Sequence, residues 1–258
     1  MRRTLHVLPL LFAPAIALHA QSLSERVRAS DGLVQVIYPS RASVCGDGQG
    51  VIANVLGRSN YYSGNVQYSG HGSWSDRPCV RGPARVVVSV VGREVTRLRS
   101  YVGPVPNESP DVRTITASAV DAAAWLGDIA AHNSGRVASD ALLPFIIADA
   151  PEPWPLLLRI ARDDDRPRAV RRSALTWLAN GVNDHLGIAD AHDDSDDDEM
   201  RTQAVFVLSQ RPKGESVPEL IELARSGKHP AARRSAIFWL GQTGDPRAVE
   251  VFAELLRQ

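Results

Sequence analysis

Four alanines divide the C-terminal half of this 258-residue chain into near-equal lengths. Ala141, Ala174, Ala204 and Ala236 stand 33, 30 and 32 residues apart. Leu142, Leu175, Val205 and Ile237 follow them directly, and Phe145, Leu178, Leu208 and Leu240 lie four positions beyond. Offsets of 0, +1 and +4 fall within about 100° of arc on a helix, so each unit presents one apolar face. Further helical runs precede these segments at Val120–Ala131, Leu156–Arg162 and Leu220–Arg225, with polar turns such as Asp163–Pro167 between them. A closing helix, Pro246–Leu256, is entered through Gly244-Asp245-Pro246, with Asp as N-cap and Pro at the first helical position. Helix pairs recurring every 30–35 residues or so bury their apolar faces by stacking on one another, which predicts an α-solenoid over residues 115–258. The third unit departs from the pattern. Between Ala179 and Glu199 only Asp184–Ala189 fits a first helix, and an acidic run replaces the usual turn.

Two segments, Arg171-Arg172-Ser173-Ala174-Leu175-Thr176-Trp177-Leu178 and Arg233-Arg234-Ser235-Ala236-Ile237-Phe238-Trp239-Leu240-Gly241, resemble short HEAT-like repeats of the phycobilin-lyase type. Gly244-Asp245-Pro246-Arg247-Ala248 is similar to the inter-helix turn of that family. The resemblance spans residues 115–258 and implies a protein-binding surface, not a reaction. HEAT-like repeats also build deoxyhypusine hydroxylase, which uses paired His-Glu dipeptides. No His-Glu dipeptide occurs here.

The N-terminal half reads differently. Arg2 and Arg3 precede a mostly apolar run from Leu5 to Leu18 and small residues at Ala17 and Ala20, the order of a signal peptide over residues 1–20. Prolines at 9 and 14 disfavour a membrane anchor, and no later stretch is long and apolar enough to span a bilayer. Export places Cys45 and Cys79, the only cysteines, in an oxidising compartment where they pair as a disulfide. Residues 24–105, rich in Val, Gly, Ser and Tyr, predict a small β domain. Its strands fall at Leu33–Tyr38 and Val51–Leu56, and a hairpin joins Arg85–Val91 to Val95–Val102 through Gly92-Arg93-Glu94. Gly57–Trp74 reads as a long surface loop or irregular strands, and Pro104, Pro106 and Pro110 mark a linker over residues 106–114. The expected fold class is α+β by domain: a disulfide-bridged β domain followed by an all-α HEAT-like solenoid.

Charge and motif content narrow the function. Basic and acidic residues number 29 each, which argues against a nucleic-acid binder relying on a cationic surface. No nucleophile elbow, His-Glu-x-x-His or phosphate loop is present, and no cofactor is implied. The acidic run supplies Asp193, Asp194, Asp196 and Asp198 as candidate Ca²⁺ ligands; a solvated loop capping the following helix explains the same residues. Arg171, Arg172, Arg201, Arg233 and Arg234 recur at the starts of second helices, either as a cationic stripe or, the favoured reading, as a ladder paired with acids of adjoining turns. Phe206 and Phe238 share offset +2, pointing away from the packing face, and Trp177 and Trp239 share offset +3 on its flank. These four form the candidate partner-binding strip, against the alternative of inter-repeat packing. The expected function is an exported, non-enzymatic, monomeric scaffold that binds another envelope or secreted protein, located in the periplasm or outside the cell. The competing expectation is an enzyme or small-ligand binder with a site at the domain junction, using Tyr61, Tyr62, His71 or Asp76.

Overall fold

A computed structural model describes residues 21–56, 62–63, 79–106, 109–188 and 196–258. The expected signal peptide therefore lies outside the described residues, as does the loop after Leu56 apart from a two-residue strand.

A short helix, α1 (Leu23–Arg28), opens the described chain, closed at its N-terminus by a capping box between Ser22 and Glu25. The main sheet has four strands, β1 (Gly32–Tyr38), β5 (Ala84–Val91), β6 (Glu94–Val102) and β7 (Val112–Thr116), in the order β6-β5-β1-β7. β5 is antiparallel to both β1 and β6, whereas β7 runs parallel to β1. Residues 112–116 span the end of the expected linker and the start of the expected solenoid, so that stretch forms a strand where the sequence suggested a change to helix. The hairpin forms as expected, with one difference. A bulge between Ser89 and Val90 shifts the pairing, so Val95 turns inward and Thr96 outward, reversing the simple alternation at that point.

Val34, Val36 and Tyr38 of β1 share a face with Val86, Val88, Leu98 and Ile115, all buried. Helices α2 (Ala119–His132), α3 (Gly135–Asp140) and α4 (Leu142–Ile147) pack against this sheet. The opposite face carries polar groups that satisfy one another. Arg85, 8% exposed, donates to Gln35 Oε1 at 3.1 Å and to the Gly48 carbonyl at 2.7 Å, and stacks over Tyr101 at 4.2 Å. Those contacts fasten a second sheet, β2 (Cys45–Gly46), β3 (Val51–Ala53) and β4 (Tyr62–Ser63), to the first. The expected strand at 51–56 stops at Ala53 because Asn54 and Leu56 adopt positive φ. Gly48 also needs its positive φ of 73°, and a Cβ there would lie 2.2 Å from the Pro104 carbonyl oxygen. The Cys45–Cys79 disulfide is formed and ties this second sheet to the strand-β5 side of the molecule.

The seam between sheet and helices is hydrogen-bonded as well as apolar. Tyr38 donates its hydroxyl to the Pro144 carbonyl at 2.9 Å, and Arg41 donates to the carbonyls of Ile146 and Ala150. One continuous core runs from Leu23 to Leu255.

Beyond α4 come α5 (Trp154–Arg162), α6 (Arg168–His185), α7 (Asp196–Ser209), α8 (Lys213–Ser226), α9 (Pro230–Thr243) and α10 (Pro246–Leu255). Ala174, Ala236 and their +1 and +4 partners are buried as the repeat requires, and so are Ala141 and Leu142. Ala204 is exposed, although Val205 is buried. Asp184 and His185 belong to the last turn of α6, so the third unit has no first helix among the described residues. Its second helix is also displaced in space. α9, not α7, packs along α6, and α7 lies against α9 instead. α10 correspondingly sits between α5 and α8, joined to them by Arg162–Glu250 and Arg225–Glu254 ion pairs. The helices thus form two layers, α5-α10-α8 and α6-α9-α7, whose spatial order is not their chain order. No helix among the described residues is long and apolar enough to cross a membrane.

Candidate functional site

The three turns α5–α6, α7–α8 and α9–α10 lie at one end of the two layers, where they surround a cleft of about 1060 Å³. Leu175, Trp239 and Val249 supply its apolar surface, and Arg and Lys side chains dominate its rim. The α9–α10 turn is sharp because Gly244 takes the left-handed conformation and Asp245 caps α10, accepting from Arg247 N at 3.0 Å. The Arg247 guanidinium chelates the same carboxylate and, with the cap bond, holds its pKa below the usual range.

Trp239 also belongs to an aromatic cluster on the adjoining face. Its ring centroid is 5.2 Å from that of Phe206 on α7 and 5.1 Å from that of Phe238 on its own helix. Such tilted and edge-on pairs add about 1 kcal/mol beyond burial. Phe206 is 37% exposed, and Phe238, Trp239 and Trp177 are half-buried. Trp177 packs against the core from α6. The structure therefore brings Phe206, Phe238 and Trp239 together in one cluster. Around it α7 is unusually apolar outside: Met200 and Val207 are 71% and 55% exposed. Phe206 thus lies off the packing face of α7, where its +2 offset puts it, while the exposure of Met200 and Val207 is not legible in the repeat pattern.

The arginines divide between the two readings. Arg171 pairs with Asp164 and Arg201 with Asp198, as a ladder would have it. Arg233 donates to the Ala224 carbonyl at 2.8 Å. Arg172 is exposed and makes no ion pair among the described residues. Of the candidate Ca²⁺ ligands, Asp198 is thus engaged by Arg201. Asp193 and Asp194 lie outside the described residues, and Asp196 is described only as backbone in the first turn of α7. No group of three metal-ligating side chains occurs among the described residues. Tyr61, His71 and Asp76 also lie outside them, and Tyr62 is described only as backbone of β4.

Residues 187–258, which contain α7 to α10, match the family profile of HEAT repeats. Residues 187–258 carry HEAT repeats. The match is to HEAT repeats at large and brings no lyase assignment with it. No curated protein and no solved structure matches the chain. HEAT arrays are helical scaffolds on which other proteins dock, and the α5–α6 pair extends the matched array by direct packing of α6 on α9.

Proposed function

We propose that this protein is an exported, non-enzymatic scaffold whose HEAT repeats bind another envelope or secreted protein. The observation that carries the proposal is the outer face of α7. Phe206 is exposed beside the Trp239–Phe238 pair, and Met200 and Val207 are exposed about 100° further round the same helix. Aromatic anchors ringed by polar residues are the common currency of protein interfaces. The disulfide and the absence of a membrane-spanning helix among the described residues agree with a place outside the cytoplasm.

The competing reading, an enzyme or ligand site at the junction of sheet and helices, gains no support from the described seam. Tyr38, Arg41 and the carbonyls of Pro144, Ile146 and Ala150 close it with hydrogen bonds. The test of the scaffold reading is Phe206→Ser with Phe238→Ser. Capture of the partner from envelope extract should weaken by about 2 kcal/mol or more. The melting temperature should fall by only roughly 4–8 °C, the loss of two ring pairs at about 1 kcal/mol each, since Phe206 is already 37% exposed. A large fall in melting temperature, or capture that is unchanged, would sink the aromatic face as the binding surface.

A further inference from the structure

The cleft at the turn end of the HEAT layers is lined by seven Arg or Lys side chains and only two acidic ones. Both acids are already engaged, Asp164 with Arg171 and Glu250 with Arg162 through both carboxylate oxygens. Arg247 is held by Asp245, and Lys213 donates to the Thr243 carbonyl at the end of α9. Arg168, Arg172 and Arg211 remain, exposed and without an ion pair or hydrogen bond from their side chains among the described residues. Nε of Arg171 is in addition buried with no acceptor.

Helix polarity sharpens the imbalance. The 18-residue α6 and the 14-residue α8 both begin at this cleft, after Pro167 and Pro212, and neither has a side-chain cap. A helix N-terminus carries partial positive charge and favours acids in its first turn. α6 has none there and opens with Arg168 and Arg171 instead. Lys213 stands at the first position of α8, where Glu215 in the same turn offsets it. Cations at the positive end of α6 are locally unfavourable, and a bound anion relieves that effect.

We infer that this cleft receives an acidic peptide segment of the partner, whose carboxylates pair with Arg168, Arg172 and Arg211 while its chain crosses Trp239. The inference rests on the scaffold reading above and names the chemistry of what the scaffold holds. The width of the cleft and its apolar floor favour a peptide over a compact anion. Arg168 and Arg172 sit on α6 and Arg211 follows α7, with α9 between, so roughly 18 Å separates the two sides at helix spacings of 8–10 Å. About five or six extended residues span that distance, so one peptide can place carboxylates on both sides at once. The apolar floor of Leu175, Trp239 and Val249 suits a segment in which acidic and apolar side chains alternate.

The test uses the full chain and a fluorescein-labelled peptide of alternating Glu and Leu, followed by anisotropy. The peptide should bind, weaken as salt is raised, and lose roughly tenfold or more in affinity when Arg168→Ser, Arg172→Ser and Arg211→Ser are combined. The triple variant should melt no lower than the parent, because it removes like charge from a helix start. A matched Lys–Leu peptide should not bind. Absence of Glu–Leu binding, unchanged affinity in the triple variant, or equally tight binding of inorganic polyphosphate overturns the inference. The scaffold reading fails separately: it falls when Phe206→Ser with Phe238→Ser leaves partner capture intact, whatever the peptide does.

Discussion

Replacing Tyr38 by Phe removes a single oxygen from the seam between the sheet and the helices. The ring is 1% exposed, and its hydroxyl donates to the Pro144 carbonyl at 2.9 Å. Phe keeps the packing but leaves that buried carbonyl without its donor, which costs about 1–2 kcal/mol. For a chain of this size the loss lowers the melting temperature by roughly 3–6 °C. A second consequence follows from ionisation. Burial raises the Tyr38 pKa far above the usual tyrosine value of 10.0, so the folded protein keeps the proton that the unfolded chain releases. The stabilisation is therefore complete below about pH 10 and declines above it, by about 1.4 kcal/mol per pH unit. Tyr38→Phe has no phenol at this position and escapes that decline. The two proteins should accordingly differ by about 1–2 kcal/mol in urea unfolding near neutral pH and converge about one unit above pH 10. All other tyrosines and arginines are common to both and cancel. Equal stability at neutral pH would refute the hydrogen bond, and a gap that persists unchanged in alkali would refute the burial.

Two further outcomes test the architecture. Reducing Cys45–Cys79, which closes a separation of 34 residues, should destabilise the protein by about 3–4 kcal/mol, read as a shift in the urea midpoint with and without dithiothreitol. Two glycines should respond with opposite signs to a larger side chain. A Cβ at Gly241 would lie 2.8 Å from the Cβ of Ala179, so Gly241→Val should cost about 1–3 kcal/mol by forcing α9 off α6. A Cβ at Gly214 meets nothing within 4 Å, so Gly214→Ala should stabilise α8 by up to about 1 kcal/mol in thermal melts.

What the sequence discloses here is what local periodicity encodes. Ala174, Leu175, Leu178, Ala236, Ile237 and Leu240 declare a buried face by their spacing, and all are buried. The hairpin at 85–102 is equally plain from its alternation and its Gly92 turn, apart from the bulge that turns Thr96 outward. Strand β7 was missed because five residues after a Pro-rich stretch carry little pattern, and its partner β1 lies about 80 residues earlier. The exposure of Ala204 has the same kind of cause. Its local sequence matches the other repeats, but α7 occupies the end of a layer, where nothing packs over that position among the described residues. The cationic cleft was only half legible. Arg171 and Arg172 stood out as a repeating pair, while Arg168 and Arg211 gain meaning only when three separate turns meet. A clue was available in the sequence, since Pro167-Arg168 and Pro212-Lys213 put cations just inside helix starts, where acids are the rule.

The placement of α9 and α10 inside the layers also bears on how the chain folds and fails. An array stacked in chain order frays from its ends, one unit after another, and its contacts are local. Here the C-terminal pair forms the middle of the stack, with α6 on one side and α7 on the other. Neither neighbour can be completed until α9 and α10 are available, so topology-dependent loop closure slows assembly. Proteolytic loss of residues 230–258 would strip both flanking helices of their support at once, and unfolding should be cooperative across the array where a stepwise peeling is the norm for such folds.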